Sequence, residues 1–398
     1  MVRKLLFVNV GPAGVSESGE IYTGVRNWVF INDMDVEFDL HYMGPVDLVP
    51  TSKNRPLWNS YLVNASVVKL PFFFRISGLL KNMINPLFIY KFGKALTQCN
   101  WDYDVILLRD MHPLSLMVWI IAKIKRIPVV LQISSNPRKI AQASFKGGKR
   151  LFYVSYAFLR ESVEYLISKS TLVILSCDHP YIKPTSSLVF KTHFNLISTQ
   201  DYVSKEFVND KYGKIQTPTI LFVGRMSPEK GVENLVKAVK VLVDNGLDLS
   251  LELVGDGPDF VRISELVKDL NLAENVELCG NVSNREDLLE YYKNASIFVL
   301  PSIEDATPKV LLEAMAVGLP IISTDVGEIS NVLNGVGKIV KSGNIISLAE
   351  AIEELLIDQT KMKELGLSGL NHALTESREI KVKELCKRVS NYVDSKVG

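Results

Sequence analysis

Five short apolar runs in the second half of the chain, TILFVG, LSLELVG, NVELCG, SIFVLPS and PIISTD, constrain the fold more than any other feature. The segments between them carry apolar residues at helical spacing, such as Val232, Leu235, Val239 and Leu242, or Ile263, Leu266, Val267 and Leu270. Strands that alternate with helices imply a parallel sheet covered on both faces. The first half follows the same plan with KLLFVNV, DVILLR, PVVLQIS and TLVILS. The expected fold class is therefore α/β, with two doubly wound, Rossmann-like parallel-sheet domains.

The polar stretch STQDYVSKEFVNDKYGKIQTP separates the halves and ends at Pro218, before a fresh strand. The expected domains are residues 1–200, residues 201–375 and a closing amphipathic helix over 376–398. A length of 398 residues is enough for two domains, each with its own core. The net charge of +1 gives no overall bias toward polyanions, so basic surface must be local. Cys99, Cys177, Cys279 and Cys386 are scattered, with no C-x-x-C spacing or histidine cluster, which points away from zinc and from a disulfide framework. They read as reduced cysteines of a cytoplasmic protein. The start, MVRKLLFVNVG, is too short in its apolar part for a signal peptide and reads as a first buried strand. PLSLMVWIIAK is closed by Lys123 and Lys125 before it reaches the length of a membrane span.

In doubly wound sheets, ligands bind at loops beyond the carboxyl ends of the strands. The loop GRMSPEKG follows TILFV. Ser227 and Pro228 suit the N-cap and first position of a helix, which places Lys230 in its first turn. A cation there opposes the helix dipole unless an anion sits nearby. With Gly224 and Arg225 it makes a clamp for phosphate or diphosphate. The plainer alternative is two solvated cations, with Lys230 paired to Glu233.

A second loop, EDATPKVLLEAMAVGLP, follows SIFVLPS. Thr307 is the expected N-cap and Pro308 the first helical residue, so the amides of Lys309 and Val310 would favour an anion. Glu313 lies farther along among Leu311, Leu312, Ala314 and Met315. A buried carboxylate needs partners, and paired ribose hydroxyls would serve; the alternative is an ion pair with Lys309. VGDGPD (Gly255, Gly257) and CGNVS (Gly280, Asn281) also follow strands and read by themselves as ordinary turns. NVGPAG (Gly11, Gly14) follows the first strand but is not a G-x-G-x-x-G fingerprint.

LFVGRMSPEKGVENLVKAV, LELVGDGPD, NVELCGNVS, ASIFVLPS and EDATPKVLLEAMAVGLPIISTDVGE together resemble the donor-binding domain of retaining GT-B glycosyltransferases of family 4. The match runs over roughly residues 218–358, in the family's order. The first half is similar in layout only, with YTGVRNW (Gly24) and IPVVLQIS as weaker motifs. The resemblance implies a nucleotide-sugar donor in an interdomain cleft, lined on the acceptor side by Gly11, Gly14, Gly24 and Ser134. Arg225 and Lys230 match the pair that binds the donor diphosphate. Glu313 matches the second acid of the E-x7-E motif, which holds the ribose. Asp305 stands at the first acid, where the family usually carries Glu, and adjacent Glu304 is the other candidate to face the sugar. Ala306, Thr307 and Pro308 replace the common Gly-Phe-Gly or Gly-Phe-Pro loop. Ser134 occupies the place of a family histidine near the reacting centre, and His112 in RDMHP is a candidate replacement.

The resemblance implies front-face attack by an acceptor hydroxyl with retention, without metal or other cofactor. Asp102 and Asp104 fit a D-x-D metal pattern but read as a turn leading into a strand. UDP is the expected nucleotide on family precedent. Residues 69–94 hold five cations and no acids among aromatics, and SFKGGKRLFYVSYAFLR (144–160) is similar. Such surfaces suit anionic membranes, so the expectation is a cytoplasmic protein peripheral on the inner membrane face, with a glycan or lipid-linked acceptor and no nucleic acid. Competing readings are a catalytically degenerate sugar-nucleotide-binding or regulatory subunit, favoured by Asp305 and Ser134, and a nucleotide-sugar epimerase or phosphorylase.

Overall fold

The computed structural model describes residues 2–9, 13–15, 21–23, 31–47, 61–62, 66–70, 86–144, 147–177, 179–192, 197–213, 215–305 and 308–397. The chain divides into two compact units, Met1–Phe194 with Lys381–Gly398, and Asn195–Ile380. The sequence expectation put the divisions near residues 200 and 375.

In the first unit the strands are β1 (Arg3–Val8), β2 (Ala13–Val15), β3 (Ile21–Thr23), β4 (Phe38–Asp47), β5 (Tyr61–Leu62), β6 (Ser66–Leu70), β7 (Val105–Arg109), β8 (Val129–Ile133), β9 (Leu172–Leu175) and β10 (Val189–Lys191). A parallel sheet runs β10-β9-β8-β7-β1-β4-β6. The short β2, β3 and β5 extend it beside β4, with β2–β3 and β3–β5 antiparallel. Helices α1 (Pro86–Gln98), α2 (Pro113–Ile124), α3 (Pro137–Ser144) and α4 (Gly147–Ser168) connect the strands. The strands predicted at β1, β7, β8 and β9 are present. β4 and β6 were not anticipated, because FDLHYMGPVD and SVVKL lack the continuous apolar run of a doubly covered strand.

In the second unit the strands are β11 (Thr219–Val223), β12 (Ser250–Val254), β13 (Val276–Gly280), β14 (Ile297–Leu300), β15 (Ile321–Thr324) and β16 (Lys338–Val340). All pair in parallel in the order β13-β12-β11-β14-β15-β16. This is the Rossmann order, which reverses direction between β11 and β14. Its helices are α5 (Lys205–Lys211), α6 (Val232–Asp244), α7 (Phe260–Asp269), α8 (Arg285–Asn294), α9 (Lys309–Ala316), α10 (Ile329–Leu333), α11 (Ile345–Leu356) and α12 (Gln359–Thr375). Val232, Leu235, Val239 and Leu242 form the buried stripe of α6, as their spacing predicts.

The last helix, α13 (Arg378–Val397), belongs almost wholly to the first unit. Val382, Leu385, Cys386, Val389, Tyr392 and Val393 are buried in one cluster with Leu5, Phe7, Leu107 and Val130. Arg3 is tied to Asp394 and to the Ser390 carbonyl on the same helix. Among the described residues no helix is long and apolar enough to cross a membrane.

Candidate functional site

The strand-end loops of the second unit meet main chain to main chain. The Gly224 amide donates to the Val254 carbonyl at 3.0 Å, and the Met226 amide to the Asp256 carbonyl at 3.0 Å. The Ile303 and Glu304 amides both donate to the Glu229 carbonyl, at 2.8 and 3.1 Å. Contacts this close exclude a Cβ. One added to Gly231 (φ 66°) would overlap the Pro301 carbonyl oxygen, and one added to Gly255 (φ 139°) the Gly224 oxygen. Gly257 is pressed in the same way against the Met226 oxygen. The glycines are thus there for close approach as well as for left-handed backbone.

Ser227 and Pro228 do take the N-cap and first positions of a helical turn, without a side-chain capping bond, but it is a single 3-10 turn, Pro228–Lys230, that ends at Gly231. α6 starts only after that glycine, so Lys230 lies outside its first turn. Its anion is Asp305. Lys230 Nζ donates to Asp305 Oδ2 at 2.5 Å, and the Ser302 hydroxyl donates to the same oxygen at 3.3 Å. The Asp305 side chain is 7% exposed and that of Lys230 23%. The alternative partner, Glu233, is engaged by Lys237 and Arg262. The Lys230–Asp305 pair therefore joins the loops after β11 and β14, the two strands that flank the switch point.

Arg225 is exposed on the same loop. Burial tends to raise the pKa of Glu229, but the Ser227 hydroxyl, a backbone amide, Lys230 and Arg225 outweigh it and hold that carboxyl below its usual range. Glu304 is exposed, whereas Asp305 is turned onto Lys230. Thr324 and Ser342 fix the β14 loop from behind, donating to the Ser302 carbonyl at 2.6 and 3.2 Å.

Glu313 is buried on α9, with 9% exposure. Each of its carboxylate oxygens accepts one hydrogen bond from the protein. Arg285 Nη1 donates to Oε1 at 2.8 Å and the Tyr292 hydroxyl to Oε2 at 2.9 Å. Burial, then the Glu313 charge, push the Tyr292 pKa well above its ordinary value, so that hydroxyl stays a donor. Arg285 also reaches Asp201 at 3.2 Å. The sequence named ribose hydroxyls or Lys309 as partners for this buried charge; the structure adds Arg285 and Tyr292, on the neighbouring α8. An acidic residue amid apolar ones was legible; its partners, 28 and 21 positions away, were not.

Pro308 is the N-cap of α9 rather than its first helical residue, and Lys309 and Val310 open the helix. Ala306 and Thr307 lie outside the described residues, as do Gly11 and Gly24. Gly14 pairs with Tyr22 between β2 and β3. Gly280 closes β13 with φ 69°, and its carbonyl accepts the Gly255 amide at 2.7 Å. Asn281 donates to the Ser283 hydroxyl at 3.0 Å. Asp102 pairs with Lys4 Nζ at 2.7 Å and Asp104 accepts the Lys4 amide at 2.8 Å, at the start of β7. Among the described residues no group of His, Cys, Asp and Glu is arranged to hold a metal ion.

The first unit holds a buried charged network that sequence reading missed. Asp110 follows β7 in a left-handed conformation, φ 55°. It accepts the Ser134 amide at 2.8 Å and the Ser134 hydroxyl at 2.6 Å, which binds the loops after β7 and β8 together. Arg160 of α4 donates to Asp110 at 2.9 Å and to Glu164 at 2.8 Å. Glu164 also accepts the Met111 amide at 3.2 Å, and Glu161 pairs with Arg138. His179 Nδ1 accepts the amides of Tyr181 and Ile182, so its proton is on Nε2, 3.3 Å from Glu164. His112 stands at the N-cap position of α2 without a side-chain capping bond and is buried, with Nδ1 unpaired among the described residues. Burial, then the Arg160 charge, push its pKa down to about 4, which leaves a neutral imidazole at pH 7. Ser134 is therefore a loop anchor in this network.

Two doubly wound parallel-sheet units define the GT-B fold. The solved structure of Anabaena Alr3699/HepE in complex with UDP superposes with a TM-score of 0.66 over 98% of this chain and 100% of that chain, at 16% identity. The family model for glycosyl transferases group 1 matches residues 204–371. N-acetyl-alpha-D-glucosaminyl L-malate synthase of Bacillus anthracis is 30% identical over 220 residues, 53% of this chain and 57% of that protein. The capsular polysaccharide biosynthesis glycosyltransferase CapM of Staphylococcus aureus is 30% identical over 174 residues, 41% of this chain and 43% of that protein. The alignments span about half the length of these relatives.

Proposed function

We propose that the protein is a retaining glycosyltransferase that moves a hexosyl or N-acetylhexosaminyl group from a UDP-sugar to a glycan or lipid-linked acceptor. The observation that carries this reading is the Lys230–Asp305 pair at the switch point, inside the group 1 segment. The UDP seen with the Anabaena neighbour supports the nucleotide. In this reading the bond from the anomeric carbon to the diphosphate breaks and its electrons stay on the phosphate oxygen. Arg225 and Lys230 stabilise that charge. The acceptor hydroxyl attacks from the same face and its proton passes to the departing phosphate. The main-chain bonds that Gly224, Met226 and Glu229 make to the neighbouring loops hold both cations in place before the donor arrives. Asp305 orients Lys230 and faces the transferred sugar.

Glu313 anchors the donor ribose. Each carboxylate oxygen has two lone pairs, so the bonds from Arg285 and Tyr292 leave capacity for ribose hydroxyls. His112 takes the role of the family's cleft histidine as a neutral imidazole. No metal is used. The chain works at an anionic membrane face, the reading that exposed cations and aromatics in the first unit support.

Incubation with UDP-sugars and acceptors tests the reaction, with release of UDP as the measure. Lys230→Ala should lower it at least about 100-fold; wild-type turnover in that variant would remove the site assignment. The inert-subunit reading rests on Asp305 at the usual glutamate position and on Ser134 held by Asp110. It predicts UDP binding with no turnover on any acceptor.

A further inference from the structure

Helix α4, Gly147–Ser168, buries charge and exposes a long apolar stripe. Its buried residues include Arg160, Glu161 and Glu164, which form the charged network under the helix. Ala157 and Ile167 are buried beside them, but six large apolar residues face outward: Leu151 is 71% exposed, Phe152 59%, Phe158 54%, Leu159 62%, Tyr165 40% and Leu166 63%. With Ser155 and Ser162 between them these positions fall on one face, at spacings of three, four and seven. The stripe is roughly 22 Å long at 1.5 Å per residue. Tyr181, itself 39% exposed, extends it by edge-on ring contacts with Phe158 and Tyr165.

Water is a poor solvent for such a face, and a patch of this kind marks an interaction surface. The exposed charges say which. Lys149 and Arg150 stand at one end of the stripe and Lys169 at the other, while both acids of the helix are buried. A second copy would bring cation against cation in either orientation. An anionic lipid surface satisfies both the apolar face and its cationic ends.

We propose that α4 is an interfacial membrane helix that lies on anionic phospholipid, with its apolar stripe in the headgroup–acyl boundary and Lys149, Arg150 and Lys169 on lipid phosphates. This deepens the membrane reading given above and rests on it. The charged network is then the device that keeps the helix in this orientation, because rotation would expose apolar core and bury unpaired ends.

The test is flotation of the full chain with phosphatidylglycerol/phosphatidylcholine vesicles, with pure phosphatidylcholine as control, and without donor or acceptor. The wild type should float with the anionic vesicles only, and less in high salt. The triple change Leu151→Gln, Leu159→Gln, Leu166→Gln should lower partitioning roughly tenfold or more, with unchanged circular dichroism. These are exposed positions, so the fold should survive. A wild type that fails to bind at low salt overturns the membrane reading and the helix with it. Equal binding by wild type and triple variant keeps the membrane reading and removes α4 from it. A wild-type dimer that the triple change converts to monomer, with vesicle binding unaltered, assigns the stripe to a second copy and overturns the proposal. UDP release on a soluble acceptor is scored separately, so none of these results bears on sugar transfer.

Discussion

In the second unit the loops after β11, β12 and β14 touch through main chain, with glycine at each close approach. In the first, one main-chain bond runs from the Asp110 amide to the Gln132 carbonyl at 2.7 Å, and the loops after β7 and β8 are otherwise joined by side chains: Asp110, Ser134, and Arg160 and Glu164 from α4. The sheets share a central strand order, β6-β4-β1-β7-β8-β9 in the first and β13-β12-β11-β14-β15-β16 in the second, yet their loops are fixed by different chemistry. Main-chain contact does not use up the adjoining side chains, and Lys230 and Asp305 pair with each other on that scaffold. A charged network consumes the side chains it uses. It also tolerates no missing member, because each buried charge depends on another.

Arg160→Met should have the largest effect. It leaves Asp110 and Glu164 without their buried cation and should cost about 3–5 kcal/mol. Hydrogen exchange read by mass spectrometry should place the loss in the first unit; a change under about 1 kcal/mol would mean the network is ornamental. Gly255→Ala should cost about 3 kcal/mol from positive φ and main-chain overlap, with the lost protection in the second unit. If it is tolerated, close main-chain approach is not what holds those loops.

Acid should discriminate between the units. His112 has its pKa lowered to about 4, so the unfolded chain takes up a proton near pH 6.5 and the folded chain does not until about 4. Stability is fully present above about pH 6.5 and is lost as pH falls through that window, by about 3 kcal/mol in total. His112→Gln should flatten the curve there, and a slope equal to wild type would contradict the burial argument. Lys230→Ala should cost least, about 1–2 kcal/mol, since the pair is partly open to water and Asp305 keeps Ser302. A double-mutant cycle with Asp305→Asn measures their coupling directly.

Lys230, Asp305 and the glycines were legible because each follows an apolar strand by a few residues, and strand-end loops are where doubly wound folds bind ligands. The meaning of Glu313 was only half legible. Its burial could be read from Leu311, Leu312, Ala314 and Met315, but α8 brings Arg285 and Tyr292 to it. The Arg160 network was not legible at all, since Asp110 lies 50 positions from Arg160. In the sequence, Glu161 and Glu164 look like the solvated face of an amphipathic helix.

The sequence by itself determined the two α/β halves, the strand-end loops and the group 1 motifs, because these rest on local periodicity and on neighbours a few residues apart. Tertiary structure alone decided that Lys230 pairs with Asp305, that Glu313 is held by Arg285 and Tyr292, and that α4 buries Arg160, Glu161 and Glu164 and exposes its apolar stripe. The physical reason is the same in each case. A buried charge is stable only beside its counter-charge, and which residues become neighbours is set by the order of strands in a sheet, which no short stretch of chain encodes.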